Sequence, residues 1–166
     1  MNMNFSHAIT EKDNWQRLSL GGELFDGTIP SEIGNLYLLN ELTLQLSQIS
    51  GTIPTELGLC GSLKIMRLGL NSLMGTIPTE LGNLKELRLL TMDSNFLTGS
   101  IPIELGGLTH LTKLLLEQRS TGDTVSGLSG PLPTSLCEIE SLEQLTINCG
   151  SDVYLSCPDG CCSCQL

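Results

Sequence analysis

Aromatic residues are scarce in this chain. Three Phe, two Tyr and one Trp make up 4% of its 166 residues, whereas hydrophobic residues as a whole make up 40%. A globular core usually mixes large aromatic side chains with aliphatic ones, while a slot of constant size that recurs along a chain calls for the same aliphatic side chain each time. The shortage therefore favours a repeated architecture with one continuous core.

Basic residues are scarce as well. Eight Lys and Arg stand against 18 Asp and Glu, which gives a formal net charge of −10. No Lys/Arg cluster is present that would release counterions from a phosphate backbone, so the sequence argues against nucleic acid as a partner. Acidic membrane surfaces are disfavoured for the same reason, and the simplest effect of the charge is solubility.

Long apolar runs and targeting signals are also missing. No run approaches the roughly 20 apolar residues that cross a bilayer. The opening residues, MNMNFSHAITEKDNW, have neither the basic nor the apolar region of a signal peptide. We therefore expect no membrane insertion in this chain, and we expect that it is a fragment or that its gene begins upstream of Met1.

What the chain does have is a regular internal repeat. The tetrad Gly-x-Ile-Pro recurs with Pro at 30, 54, 78 and 102, a constant step of 24 positions. Many columns hold this register over four copies, which chance does not produce. Three aliphatic columns keep the same step: Leu39, Leu63, Leu87 and Leu111; Leu42, Met66, Leu90 and Leu114; Leu44, Leu68, Met92 and Leu116.

The repeat resembles the plant-type leucine-rich repeat, which is also common in microalgal proteins. Its clearest copy begins at Leu87 and ends at Leu108, with the pattern L-x-x-L-x-M-x-x-N-x-L-x-G-x-I-P-x-x-L-G-x-L. The resemblance covers about residues 15–147. It implies an α/β solenoid, a right-handed horseshoe with short parallel β-strands on the concave face and 3₁₀ or irregular segments on the convex face.

Elementary physics favours the same shape. Alternating residues such as Leu42-Thr43-Leu44 predict a strand with one buried face, which stacked coils join into a sheet over a shared core. We expect each proline of the tetrad to be the first residue of a short helical turn. The acidic column that follows it should lie near the positive end of that turn: Glu32, Glu56, Glu80 and Glu104.

The pattern is broken in two places. Asn71 and Asn95 fit the asparagine column of the family, but Glu23, Ser47 and Arg119 hold the equivalent positions of the other coils. In the family this Asn bonds backbone groups between coils, so we expect looser hydrogen bonding in the first, second and fifth coils. In the fifth coil, seven extra residues fall within Ser120–Gly127, either as part of a binding site or as a tolerated loop.

These observations divide the chain into three parts. Residues 1–14 are predicted to be a degenerate N-terminal coil or a truncated repeat, because Phe5, Ile9 and Trp15 match the columns of Ile29, Ile33 and Leu39. Residues 15–147 hold about five leucine-rich repeats. Residues 148–166 are expected to form a Cys-rich C-terminal cap.

Seven cysteines are present, and six of them crowd the C-terminal part of the chain, from Cys137 onward. Cys60 aligns with Leu36, Leu84 and Leu108, so we expect a buried free thiol. The other six are predicted to form disulfides of unknown connectivity, since no histidine lies nearby and the spacing suits zinc poorly. Because disulfides persist in oxidising compartments, we expect an extracellular or cell-surface location. The candidates are Cys137, Cys149, Cys157, Cys161, Cys162 and Cys164.

Catalytic groupings are not apparent. His7 and His110 have no plausible nucleophile tied to either, and no phosphate-binding loop occurs. Asp93 and Glu117 should be neighbours on the concave sheet, but such acids are more often ligand contacts or solvated groups than a glycosidase pair. We expect no enzyme, no metal site and no cofactor.

The concave face is the predicted binding site. Most of its outward residues are small or polar, yet several aliphatic residues project from the middle coils, and exposed apolar surface with a polar rim often marks a contact site. We expect a protein or peptide partner to dock there, with Arg67 and Asp93 setting its orientation; ordinary surface is the alternative. The predicted contact residues are Leu46, Ile65, Arg67, Leu70, Leu89, Thr91, Asp93, Lys113, Leu115 and Glu117.

Other functions stay open at this stage. The family also contains inhibitors of secreted hydrolases, and a carbohydrate ligand is possible. A function of another class, ice binding, would use regular ladders of hydroxyls about 4.8 Å apart. Two columns provide such ladders: Thr28, Thr52, Thr76 and Ser100; Ser31, Thr55 and Thr79.

Overall fold

The computed structural model describes residues 3–4, 15–22, 25–119 and 127–147. They form the expected solenoid. Each regular coil contributes a strand of the concave sheet, then a strand of a second sheet, then a short 3₁₀-helix. Both sheets are parallel throughout their described length, which confirms the predicted architecture.

The concave sheet has six strands within the described residues. Its regular strands pair residues 24 positions apart, for example Leu42 with Met66. Leu114 pairs with Leu145, 31 positions later, so the insertion of seven residues leaves the register of the sheet unchanged. The strands are β2 (Arg17–Ser19), β4 (Glu41–Thr43), β6 (Ile65–Arg67), β8 (Leu89–Thr91), β10 (Lys113–Leu115) and β11 (Gln144–Thr146).

A second parallel sheet, on the flank of the solenoid, was not predicted. Five strands of it lie in the described part of the chain, and they pair residues 22 positions apart, as Gly51 does with Leu73. Segments such as QISGT do not alternate regularly between apolar and polar residues, so periodicity did not reveal them. The strands are β1 (Met3–Asn4), β3 (Phe25–Thr28), β5 (Gln48–Thr52), β7 (Ser72–Gly75) and β9 (Phe96–Leu97).

One continuous core runs between the two sheets and the helices. All twelve residues of the three predicted aliphatic columns are fully buried, and successive coils stack them over one another. Cys60 is also fully buried in this core, and its thiol donates a hydrogen bond to the carbonyl of Ile33 in the preceding coil, at 3.3 Å. The core therefore repeats with the same period of 24 residues as the sequence.

Short helices form the back of each coil, and the prediction for their prolines needs correction. Pro30 precedes its helix as the N-cap, with an extended backbone (φ −78°, ψ 154°), and accepts the N–H of Ile33 through its carbonyl. Proline thus ends the extended segment instead of entering the helix. The acidic column does lie in the first helical turns, as expected. The helices are η1 (Ser31–Asn35), η2 (Thr55–Leu59), η3 (Thr79–Asn83), η4 (Ile103–Gly107) and the α-helical α1 (Thr134–Cys137).

Glycine lets these helices approach one another closely. A Cβ placed on Gly82 would lie 2.6 Å from the Cβ of Glu104 and 2.7 Å from its carbonyl oxygen, in the next coil. Such a distance leaves no room for a side chain of any kind. The short distance between successive coils therefore requires a glycine after the leucine at this point of the repeat.

A ladder of buried amides ties the coils together on the other side of the core. Asn95 donates to the carbonyl of Leu68 in the preceding coil at 2.9 Å and accepts the N–H of Leu73 at 3.0 Å. Asn71 makes the equivalent bonds to Leu44 and Ile49. These bonds satisfy backbone groups that the turn after each concave strand leaves unpaired.

The ladder is more complete than predicted. In the second coil the hydroxyl of Ser47 donates to the carbonyls of Leu20 and Gly22, although it replaces an asparagine. In the fifth coil the amide of Gln118 fills the site, accepting the N–H of Leu97 at 3.1 Å and donating to the carbonyl of Met92 at 3.1 Å. The expectation of looser bonding in the fifth coil is therefore wrong, because the residue before Arg119 substitutes for asparagine.

Candidate binding face on the concave sheet

Two rows of side chains cover the concave sheet. Since the strands pair in register about 4.8 Å apart, residues at one strand position form a row across the coils. The first row is Arg17, Glu41, Ile65, Leu89, Lys113 and Gln144; the second is Ser19, Thr43, Arg67, Thr91, Leu115 and Thr146. The character of the face changes along these rows, from charged in the first coils to apolar in the middle ones.

The apolar patch of this face consists of Ile65, Leu89 and Leu115. Ile65 and Leu89 are register partners, and Leu115 lies diagonally across from Leu89 on the next strand. All three are partly exposed, although they belong to strands whose inward residues already fill the core. The patch is therefore apolar surface that the fold itself does not use.

Two further predicted contact residues, Leu46 and Leu70, have an unusual backbone. Both are held at positive φ (62° and 59°), in the column where the first coil has Gly22 at φ 107°. A branched side chain in this left-handed region costs about 1–2 kcal/mol relative to the usual conformations. Leu46 is nonetheless 55% exposed, so packing does not offset that cost.

Thr91 lies in the middle of the face, but it does not offer a contact surface. It is only 7% exposed, because its register partners Arg67 and Leu115 stand on either side of it with longer side chains. Its inclusion among the predicted contact residues needs correction. Alternation along a strand predicts which way a side chain points, but not whether its neighbours cover it.

The charges of the first coils are paired with one another. Glu41 accepts from the guanidinium of Arg17 at 2.8 Å and from that of Arg67 at 3.0 Å, across strands β2, β4 and β6. Arg67 also reaches the hydroxyl of Thr43 at 3.4 Å. Arg67 is thus held by its own sheet, which weakens the prediction that it orients a partner. The sequence signal for this network is a pair of opposite charges 24 positions apart, Arg17 and Glu41, and a second pair 26 positions apart, Glu41 and Arg67.

The acidic residues of the later coils are arranged differently. Asp93 and Glu117 follow strands β8 and β10 at the same position of adjacent coils, and neither carboxylate has a hydrogen bond or ion pair with any described residue. Asp93 leans over Gly69 in the preceding coil; a Cβ on that glycine would lie 2.6 Å from a carboxylate oxygen of Asp93. Lys113, in the first row, is partly exposed.

The predicted hydroxyl ladders lie on the flank of the solenoid. Thr28, Thr52, Thr76 and Ser100 are all exposed. In the neighbouring column, however, the hydroxyls of Ser31, Thr55 and Thr79 donate to the adjacent glutamates at 3.4, 3.3 and 3.2 Å. That column continues into Ile103, which is 67% exposed and borders a shallow groove of about 610 Å³. The hydroxyls do not form one uniform array.

The cysteine predictions are tested only in part. Cys60 is free, as expected, and burial raises the pKa of its thiol to about 11. Cys137 is disulfide-bonded. The other five candidates lie outside the described residues: Cys149, Cys157, Cys161, Cys162 and Cys164.

The described residues contain neither a candidate membrane span nor a candidate metal site. None of the helices there has the length and apolar character needed to cross a bilayer. The same part of the chain holds no group of three or more His, Cys, Asp or Glu side chains placed to bind a metal ion.

Parallel coils, an amide ladder and an exposed concave sheet define the chain as a repeat solenoid. The family model described as Leucine Rich Repeat matches residues 86–108, the copy in which the repeat is clearest. No protein of curated function matches the chain. The structural likenesses are more extensive.

Three solved structures illustrate those likenesses. The plant peptide hormone receptor RGFR1 in complex with RGF2 is 32% identical, with a TM-score of 0.71 over 79% of this chain. The LRR ectodomain of the receptor kinase GASSHO1/SCHENGEN3 from Arabidopsis thaliana, in complex with CASPARIAN STRIP INTEGRITY FACTOR 2, is 33% identical, with a TM-score of 0.69 over 81%. The LRR ectodomain of SOBIR1, also from Arabidopsis thaliana, is 29% identical, with a TM-score of 0.65 over 85%.

The chain is therefore a leucine-rich-repeat solenoid that is similar in sequence and fold to plant receptors of this kind. It spans 20% of the RGFR1 chain, 15% of the GASSHO1/SCHENGEN3 chain and 69% of the SOBIR1 chain. It thus corresponds to a few coils of the two longer ectodomains and to most of the shorter one.

Proposed function

We propose that this chain is a non-catalytic recognition module that binds a protein or peptide partner on its concave face, on the extracellular side of a membrane or outside the cell. The observation that carries the proposal is the set of aliphatic side chains on that face. Besides the apolar patch, this set includes Leu46 and Leu70, which are held in an unfavourable backbone conformation. Surface of this kind adds nothing to the core, so a partner is the simplest reason for it.

Two further observations support the proposal. The similar proteins include a plant peptide hormone receptor in complex with RGF2 and a receptor-kinase ectodomain in complex with CASPARIAN STRIP INTEGRITY FACTOR 2. The disulfide at Cys137 suits an oxidising compartment, and so supports the extracellular location. The network of Arg17, Glu41 and Arg67 would then frame one side of the binding surface.

A random nine-residue peptide library displayed on phage tests this function. Peptides selected on the wild-type chain should lose at least about tenfold in affinity for the variant Leu70→Ser/Leu89→Ser, because both changes remove apolar contact surface. The matched control is Leu59→Ser, since Leu59 is 64% exposed but lies on a convex helix.

Both variants must keep the thermal unfolding midpoint of the wild type to within a few degrees. If the selected peptides bind the Leu70→Ser/Leu89→Ser variant as tightly as the wild type, the concave face is not the binding surface. Failure of Leu59→Ser alone would place the contact on the convex side.

A further inference from the structure

The charges on the concave face are sorted by coil. On the side of the first coils, every described charge of the two rows belongs to the network of Arg17, Glu41 and Arg67. On the side of the later coils, the carboxylates of Asp93 and Glu117 have no partner among the described residues. Lys113, the register partner of Leu89, also has no ion pair with a described residue. A docking partner therefore meets unpaired charge, with an excess of one negative, at the later-coil end of the apolar patch.

No described side chain bridges these two acids, and the space between them is here called the gap. The carboxylate of Asp93 lies over Gly69, that is, toward the preceding coil and away from Glu117. The two Cα atoms are about one strand spacing apart, near 4.8 Å, and the Asp93 carboxylate is displaced toward the preceding coil. Lys113 lies four positions before Glu117, about 13 Å along an extended chain, so it does not occupy the gap. A planar guanidinium or an ammonium group between the acids can donate a hydrogen bond to each carboxylate.

The gap also has a defined relation to the apolar patch. Leu115 and Glu117 are two residues apart and follow the same strand, about 6.6 Å from each other. An extended peptide places side chains of one face at the same spacing. A ligand that sets an aliphatic side chain on the patch can therefore set a basic side chain at the acids without bending.

We propose that the partner segment on this face is an extended, positively charged peptide that places a Lys or Arg side chain between Asp93 and Glu117 and a neighbouring aliphatic side chain on the apolar patch. This inference rests on the proposed function and names the chemistry of its ligand. The net charge of −10 acts in the same direction, since it attracts a cationic ligand at long range and speeds its encounter.

The test uses the same random nine-residue peptide library on the wild-type chain. The selected pool should be enriched in sequences with Lys or Arg within two positions of Leu, Ile, Val or Phe. The variant Asp93→Asn/Glu117→Gln should lower the affinity of a selected synthetic peptide at least about tenfold, and raising the NaCl concentration from 50 to 500 mM should remove most of that difference.

A control with the same change in net charge separates the local effect from the general one. Glu32→Gln/Glu104→Gln removes two negative charges from exposed convex positions and should change the affinity less than twofold. The reversed pair, Asp93→Lys/Glu117→Lys, should select peptides that carry Asp or Glu in place of the basic residue.

The outcomes distinguish this inference from the function on which it rests. Peptides that depend on Leu89 but bind equally well to Asp93→Asn/Glu117→Gln would overturn the inference and leave the concave binding face intact. Equal losses for the concave and convex charge pairs would also overturn it, because the preference would then come from net charge. If no selected peptide depends on Leu89, both proposals fail.

Discussion

Gln118 takes the place of Asn95 in the coil that follows, although it stands one position earlier in the repeat. Both side-chain amides accept a backbone N–H of the preceding coil, at 3.0 Å for Asn95 and 3.1 Å for Gln118, and both donate to the backbone carbonyls around them. The longer side chain of glutamine compensates for the shift of one residue. The same backbone groups are therefore satisfied in both coils.

This substitution leads to the first prediction. Gln118→Ala should lower the free energy of unfolding by about 2 kcal/mol, because it leaves the buried N–H of Leu97 and the carbonyl of Met92 without their side-chain partner. Arg119→Ala, at the aligned asparagine position, should cost less than about 1 kcal/mol, since the exposed guanidinium lies 5.9 Å from the ring of Phe96. Urea unfolding followed by circular dichroism measures both. Equal losses would mean that Gln118 is not the residue that replaces asparagine.

The second prediction concerns the close approach of the short helices. Gly82→Ala should destabilise the protein by about 1–3 kcal/mol, because the new methyl group meets the Cβ and carbonyl oxygen of Glu104. Gly61→Ala is the matched control: its added Cβ has no heavy atom within 4 Å, so the change should stay within about 0.5 kcal/mol. Thermal unfolding midpoints of the two variants decide the matter. If Gly82→Ala is as stable as the wild type, the coils can move apart without a loss of stability.

The third prediction uses the backbone strain at Leu46. Leu46→Asn should raise the free energy of unfolding by about 0.5–1 kcal/mol, because asparagine tolerates positive φ and the leucine is largely exposed. Leu59→Asn, an exposed leucine that is not at positive φ, should bring no gain. Chemical denaturation of both variants checks this difference.

A loss of stability in Leu46→Asn would contradict the interpretation of Leu46 as a strained residue. The same variant is informative for binding. A protein that becomes more stable but binds the selected peptides less well would show that the strained leucine serves recognition.

The fourth prediction follows from the pKa of Cys60. Because burial raises this pKa from 9.0 to about 11, the folded state holds the thiol proton where the unfolded state releases it. The contribution of this group to stability is complete below about pH 9 and is lost as the pH rises toward 11. The free energy of unfolding at pH 10 should accordingly be roughly 1 kcal/mol lower than at pH 8 from this group alone.

Cys60→Ala provides the comparison for that pH dependence. The variant is expected to be less stable than the wild type at pH 8, and its stability should fall less steeply between pH 9 and 10.5. Labelling with iodoacetamide at pH 8 adds an independent readout: the peptide that contains Cys60 should react only when urea unfolds the chain, since the thiol is fully buried. Rapid labelling of the folded protein would refute the burial of this thiol.

Several features of the fold follow from the sequence alone. The constant step of the repeat predicts which aliphatic residues stack, because each coil must present the same side chain to the same slot. Leu42, Met66, Leu90 and Leu114 are accordingly buried in one column. The place of the seven-residue insertion also follows from the sequence. The insertion lengthens the step from Leu114 to Leu145, and the strands of these two residues still pair.

For the concave strands, the direction in which each side chain points was predictable from the sequence, but its exposed fraction was not. Alternation along the strands identified Ile65, Leu89 and Leu115 as residues that point away from the core. It did not reveal that Thr91 is covered, because that depends on the lengths of the side chains on the two neighbouring strands. The pairing of Arg67 with Glu41 has the same origin, since it joins adjacent strands.

What the sequence determined by itself is the stride, the core columns and the faces of the concave strands, since these depend only on a periodic pattern. Only the structure revealed the flanking sheet, the role of Gln118, the positive φ of Leu46 and Leu70, and the position of the Asp93 carboxylate over Gly69. The flanking sheet, the bonds of Gln118 and the contact of Asp93 with Gly69 all join residues of adjacent coils, so they depend on how one coil is placed against the next. The placement of one coil against the next is set by close packing of the shared core, so the pattern within a single repeat does not determine it.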